Sequence, residues 1–269
     1  MGILDELKKR IILFDGGMGS LLQERGLKPG ELPELWNLTY PEAVYDIHSA
    51  YLAAGCDIIL TNTFGANRLK YAGTGGPGVE EIVRAGTENA KRAVKAAGRG
   101  FTALDIGPTG KLLKPMGDLG FEEAVAVFGE VAEAGAKAGA DLIVIETMSD
   151  MYELKAAVLA AKERAKLPIF ATVIFDGSGK LLTGGTPEAV TAMLEGLGVD
   201  ALGINCGLGP IQMKPLAERL TACASIPVIV NPNAGLPRSE KDRTVYDITP
   251  SEFAEVMDSI LDLGVSAVG

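Results

Sequence analysis

The sequence holds one histidine, three cysteines and one tryptophan in 269 residues. One imidazole cannot build a histidine metal cluster. The lone His48 lies inside a helical pattern after Pro41, among Val44, Ile47, Tyr51 and Leu52, and is expected on the helix surface, away from any site. That leaves no base for a Ser/His/Asp triad or a Cys–His pair. Three cysteines are too few for a disulfide framework and odd in number, so Cys56, Cys206 and Cys223 are expected as free thiols in a cytoplasmic protein. No lysine ends an apolar run, which disfavours Schiff-base chemistry. Basic charge is scarce: 25 Lys and Arg face 35 Asp and Glu, for a net charge of -10. With no basic stripe, nucleic acid is not an expected partner. Long apolar runs are missing too. After its basic cluster, MGILDELKKRIILFDGG has only four apolar residues, too few for a secretory leader. Nothing approaches the ~18 residues of a membrane span.

What is present is a set of eight short apolar runs, at 10–16, 56–63, 101–108, 140–147, 168–176, 201–207, 227–235 and 265–269. They are almost continuously apolar, the pattern of parallel strands covered on both faces. Helical patterns separate them. Phe121, Val125, Phe128, Val131 and Ala132 share one helix face. Thr186–Pro187 and Thr249–Pro250 read as helix starts, the second with Glu252 completing a capping box. Eight β/α units in this length predict a (β/α)8 TIM barrel forming one domain over 1–269, with a doubly wound open sheet as the alternative. The stretches 26–40 and YAGTGGPG (71–78) are predicted loops, the first tethered by Trp36.

One phrase recurs: AGCDIIL from Ala54, AGADLIV from Ala138, LGVDALG from Leu197 and LGVSAVG from Leu263. Its glycines, Gly55, Gly139, Gly198 and Gly264, read as helix closers. Seven and eight residues after the first three lie Asn62–Thr63, Glu146–Thr147 and Asn205–Cys206; from Gly264 the same offsets fall two and three residues past Gly269.

In a parallel barrel all strand C-termini meet at one rim, where active sites form. The strand ends supply Asp15, Thr61, Asn62, Thr63, Asp105, Glu146, Thr147, Asp176, Asn205, Cys206, Asn231 and Asn233. A buried strand has no structural need to finish in an acid, although some of these will cap helices. Cys56 begins its strand and Cys223 sits in a helix, both as packing residues, so only Cys206 reaches the rim. Neither an adjacent base nor partner ligands for it are evident. DGGMG (15–19) and GLGP (207–210) could cradle a phosphate, which keeps a phosphate-binding aldolase or isomerase barrel open.

In order along the chain, LFDGGMGSLLQERG (13–26), ELWNLTYPEAV (34–44), AGCDIILTNTFGAN (54–67), DIGPTGKLL (105–113), GADLIVIETMSD (139–150), GINCGLGP (203–210) and NPNAGLP (231–237) resemble the homocysteine S-methyltransferase family. The likeness is nearest to the N-terminal homocysteine-binding domain of the cobalamin-dependent methionine synthases. It implies zinc held by three cysteine thiolates and the homocysteine sulfur. Cys206 matches the first thiolate. The other two belong to a Gly-Gly-Cys-Cys-Gly-Thr-Thr segment whose first glycine is Gly269, so the pair would follow at the vacant repeat offsets. The chain as given is therefore expected to bind zinc poorly and to turn over little. The resemblance also implies Glu146, assisted by Asp15, on the homocysteine ammonium. Gly16, Gly17 and Thr63 would meet other polar parts, and Asn205 and Asn231 would orient ligands. The implied methyl donor is methylcobalamin on a corrinoid domain or protein; related barrels use betaine or S-methylmethionine. A degenerate barrel that binds homocysteine or a partner without turnover is the third possibility.

Overall fold

The computed structural model describes residues 2–71, 75–235, 237–240, 243–246 and 248–269, with the side chains of 237–240 and 243–246 left aside. Eight strands follow in chain order: Ile12–Leu13, Ile58–Leu60, Phe101–Ile106, Leu142–Met148, Ile169–Val173, Ala201–Asn205, Val228–Asn231 and Ala267–Val268. Each pairs in parallel with its neighbours, from the first through the eighth and back down to the second. A parallel bridge between Phe14 and Ile58 closes the ring. The fold is a (β/α)8 barrel, not an open doubly wound sheet.

Helices cover the outside, among them Pro41–Ala54, Val79–Ala97, Phe121–Ala138, Met151–Arg164, Pro187–Leu197, Pro210–Cys223 and Pro250–Leu261. Gly55, Gly139 and Gly198 end three of them at φ 114°, 86° and 68°, a region that costs other residues strain. Thr186 and Thr249 are N-caps, and Glu252 completes the second box. Strands at 169–173 and 201–205 are buried along their whole length, as the continuous apolar runs require.

Inside the ring a period of two decides what points inward. Ile12, Phe14, Ile58, Ala103, Leu142, Val144, Phe170, Ala201, Ile229 and Ala267 form the interior cluster, joined by Ile3 and Leu7 of the N-terminal helix Ile3–Leu7. Phe170 is fully buried, and such a ring contributes about 2–3 kcal/mol by leaving water. Continuing the same parity toward the rim reaches Asp105, Glu146, Thr172, Asn205, Asn231 and Gly269. The apolar plug thus gives way to a polar top layer.

Several local expectations change. The 26–40 stretch contains a short 3-10 turn, Pro33–Leu35, and a helix, Trp36–Thr39, with Trp36 buried as the tether. In the 71–78 stretch, Tyr71 ends a helix, residues 72–74 lie outside the described residues, and 75–78 are irregular. An antiparallel hairpin, Pro237–Glu240 with Arg243–Tyr246, follows the seventh strand. His48 is not on the surface. It is fully buried on the stripe of Val44, Ile47 and Leu52, and neither ring nitrogen has a partner. Cys223 is exposed rather than packed, with its sulfur against Arg219 O and Thr191 Oγ1.

Candidate functional site

A cavity of about 390 Å³ opens at the C-terminal rim. It gathers Asp15, Gly16, Gly17, Glu146, Asn205, Cys206 and Asn231 from the loop after the first strand and from strands four, six and seven. Thr63 is not on its wall. Thr63 is buried just behind, its hydroxyl donating to Asp105 O at 2.8 Å. Asp176 stands apart as an exposed turn residue accepting from Ser178 and Lys180. Asn233, Thr61 and Asn62 line the cavity.

Cys206 is the sulfur of the site. Its φ is 57°, and Thr147 beside it has φ 60°; they are the two non-glycine residues at positive φ among the described residues. Such conformations cost about 1–3 kcal/mol each and persist where surroundings enforce them. Asn205 is the enforcer. Its Nδ2 donates to Cys206 Sγ at 3.3 Å and to Thr147 Oγ1 at 2.7 Å. Its Oδ1 accepts the Thr147 N–H at 2.9 Å and the Thr172 hydroxyl at 2.8 Å. The sulfur therefore faces the cavity from a locked amide. A register shift between strands four and five, at Ile145–Met148, re-aims Glu146 and Thr147 at the same point.

The charges are lopsided. Asp15, Asp105 and Glu146 share the cavity. Burial pushes Asp15 well above the ordinary carboxylate range; the Leu60 N–H at 2.9 Å opposes this and Glu146 adds to it. Asp105 is also driven well up, by burial and then by Glu146 and Asp15. Burial raises Glu146 to about 7. It also pushes the Cys206 thiol to about 11, with Glu146 adding repulsion against the hydrogen bonds from Thr147 and Asn205. As it stands this thiol is protonated at neutral pH. One cation, Lys70, lines the wall, 3.6 Å from buried Glu34. Glu34 also accepts the Gly65 N–H at 2.6 Å and the Tyr71 hydroxyl at 2.8 Å. No local sequence pattern announces this network, because it joins the 3-10 turn Pro33–Leu35 to the distant segment 65–71.

A tetrahedral zinc site needs at least three protein ligands. Among the described residues no group of three His, Cys, Asp or Glu could hold a metal ion. The amide donor on Cys206 Sγ suits a thiolate ligand, but the residues present supply one sulfur and do not make a zinc site by themselves.

The sequence profile described as homocysteine S-methyltransferase matches residues 12–269. The chain belongs to the homocysteine S-methyltransferase family. Within that family it is 33% identical over 284 residues to the methionine synthase of Mycobacterium tuberculosis, covering 99% of this chain and 24% of that protein. The methionine synthase of Mycobacterium leprae is 32% identical over 286 residues, with the same coverage. The chain thus spans 24% of the length of these curated relatives. Among solved structures, the metallated form of the homocysteine methyltransferase MmuM from Escherichia coli superposes with a TM-score of 0.82 at 24% identity, over 98% of this chain and 93% of that one. The carboxyl transferase domain of Rhizobium etli pyruvate carboxylase reaches 0.56 at 16% identity, over 98% and 40%. These structural likenesses carry the barrel fold.

Proposed function

We propose that this chain is the homocysteine-binding barrel of a methyltransferase that makes methionine. The observation that carries this reading is the single cavity in which Cys206 Sγ, fixed by Asn205, faces a wall of buried acids. Homocysteine brings a thiol and an ammonium, and the cavity offers a sulfur station and a carboxyl station. Glu146 with Asp15 holds the ammonium, and the Gly16–Gly17 backbone meets the substrate's other polar groups. Asn231, whose Oδ1 is buried without a partner, orients the neighbouring ligand set.

The complete metal set would add, to Cys206, a cysteine pair in residues following Gly269. Zinc bound there would supply a substrate thiolate without a base, in keeping with a rim that lacks histidine. The donor proposed is methylcobalamin on a corrinoid domain or partner protein, since the matched methionine synthases are about four times as long as the matched region. Gly269 touches both the main cavity and its neighbour, and a side chain there would come within 2.8 Å of Phe14 Cβ. A phosphate-binding barrel is a poorer reading, because the basic residue lining the cavity, Lys70, is already paired with Glu34 and the rest of the wall is acidic or neutral.

Zinc stoichiometry, measured on this chain and on one extended past Gly269, tests the metal assignment. About one zinc per extended chain is expected, much less here, and loss in the extended Cys206→Ala variant. Equal zinc in both chains, or no effect of Cys206→Ala, would remove Cys206 from the ligand set.

A further inference from the structure

We propose that Asp105 is a third substrate-contacting carboxyl, gripping the α-ammonium of the thiol amino acid together with Asp15 and Glu146. This rests on the reading above and extends it to a residue on a different strand.

Asp105 is 6% exposed and lines the cavity. Its Oδ1 is fully buried without a hydrogen-bond partner, and so is Oδ1 of Asp15. The main chain around Asp105, in contrast, is clamped. Its N–H donates to Thr61 Oγ1 at 3.0 Å, and its carbonyl accepts from Thr63 Oγ1 at 2.8 Å. The two threonine hydroxyls lie 2.6 Å apart. Two buried hydroxyls thus fix the direction of a side chain whose Oδ1 has no partner among the described residues. A structural acid would use its oxygens; leaving a buried polar group unsatisfied costs about 1–3 kcal/mol. The inward parity of the third strand places Asp105 directly above Ala103 of the apolar plug, so its carboxyl forms part of the cavity floor.

The missing partner must be cationic and rich in donors. Lys70 is the basic residue on the wall, and it is paired with Glu34. An ammonium carries three N–H donors and one positive charge. It would give the unpartnered oxygens of Asp15 and Asp105 donors beside Glu146 and ease the repulsion among the three acids. Three acceptors on three elements also fix the orientation of the group, and hence the direction in which the thiol arm extends.

The test compares two ligands by calorimetry on the full chain: L-homocysteine and mercaptobutanoate, the same thiol acid without its amino group. Asp105→Asn should weaken homocysteine by roughly tenfold or more and leave mercaptobutanoate unchanged. Its melting temperature should not fall, because an unpartnered buried acid has been removed. Asp105→Ala should repeat the ligand pattern if the amide variant folds poorly. Unchanged homocysteine affinity, or an equal loss for both ligands, would overturn the role of Asp105 while leaving the homocysteine reading intact. A parent protein that binds neither ligand would overturn both.

Discussion

At the N-terminal end of the barrel, Asp57, Asp141 and Asp200 stand before strands two, four and six, at the same place in the repeated phrase. Each carboxylate accepts a backbone N–H from the preceding strand: Leu13 at 3.0 Å, Thr102 at 2.8 Å and Ile169 at 2.9 Å. Each of these aspartates also donates its own N–H to the carbonyl of that same residue, at 2.7, 2.8 and 2.8 Å. The two bonds form a closed staple between paired strands. At the opposite rim, Asp15 and Asp105 each leave one buried oxygen without a partner. Burial pushes Asp57 up as well, but Arg10, the Leu13 N–H and Arg99 bring it below the ordinary carboxylate range. No arginine offsets the burial of the rim acids; Asp15 has the Leu60 N–H at 2.9 Å, and both acids stay high. The same side-chain chemistry therefore staples strands at one end and, at the other, leaves buried oxygens unpartnered in the cavity where the proposed substrate would bind.

The largest effect that would sharpen this contrast belongs to Asp57. Arg10 at 2.7 Å, Arg99 at 3.1 Å and the Leu13 N–H all depend on it. Asp57→Ala should cost about 2–3 kcal/mol in urea unfolding and leave homocysteine affinity unchanged. A ligand effect as large as the stability effect would break the division.

The next test is pH dependence, with two opposed groups. Glu146 is raised from 4.5 to about 7, so its contribution to stability is full below pH 4.5 and is lost as pH rises to about 7. Buried His48 is lowered from 6.5 to about 4, so its contribution is present above pH 6.5 and is lost as pH falls toward 4. Relative to the parent, Glu146→Gln should gain stability as pH rises through the first window. His48→Leu should gain as pH falls through the second. Chemical unfolding at a series of pH values reads both; parallel curves for parent and variant would contradict the burial of that group.

Much of this was legible in the sequence, and for identifiable reasons. Strands buried on both faces lose polar alternation, so the eight runs stood out. The glycines at 55, 139 and 198 had to adopt positive φ, and the threonine–proline pairs marked helix starts. Rim membership followed from strand polarity, which gathered Asp15, Glu146, Asn205, Cys206 and Asn231 around one cavity. The rest depended on contacts between distant segments. Asp105 was visible as a strand end, but its unpartnered oxygen depends on what neighbouring strands fail to supply. The staples of Asp57, Asp141 and Asp200 need the pairing register. His48 was misplaced although residues 44, 47, 48 and 52 share a helix face, because its polarity outweighed its spacing. The hairpin at 237–246 carries no run of alternating apolar residues long enough to announce it.

The most direct measurement pairs unfolding free energy with L-homocysteine affinity in two variants, one from each end of the barrel. Asp200→Ala is expected to lose about 1–2 kcal/mol of stability, through the unpaired Ile169 N–H, and to bind homocysteine as the parent does. Glu146→Gln is expected to lose no stability, and to bind roughly tenfold more weakly. If both variants lose stability and affinity together, or if Glu146→Gln binds as the parent does, the division between a stapled base and a ligand-holding rim is wrong.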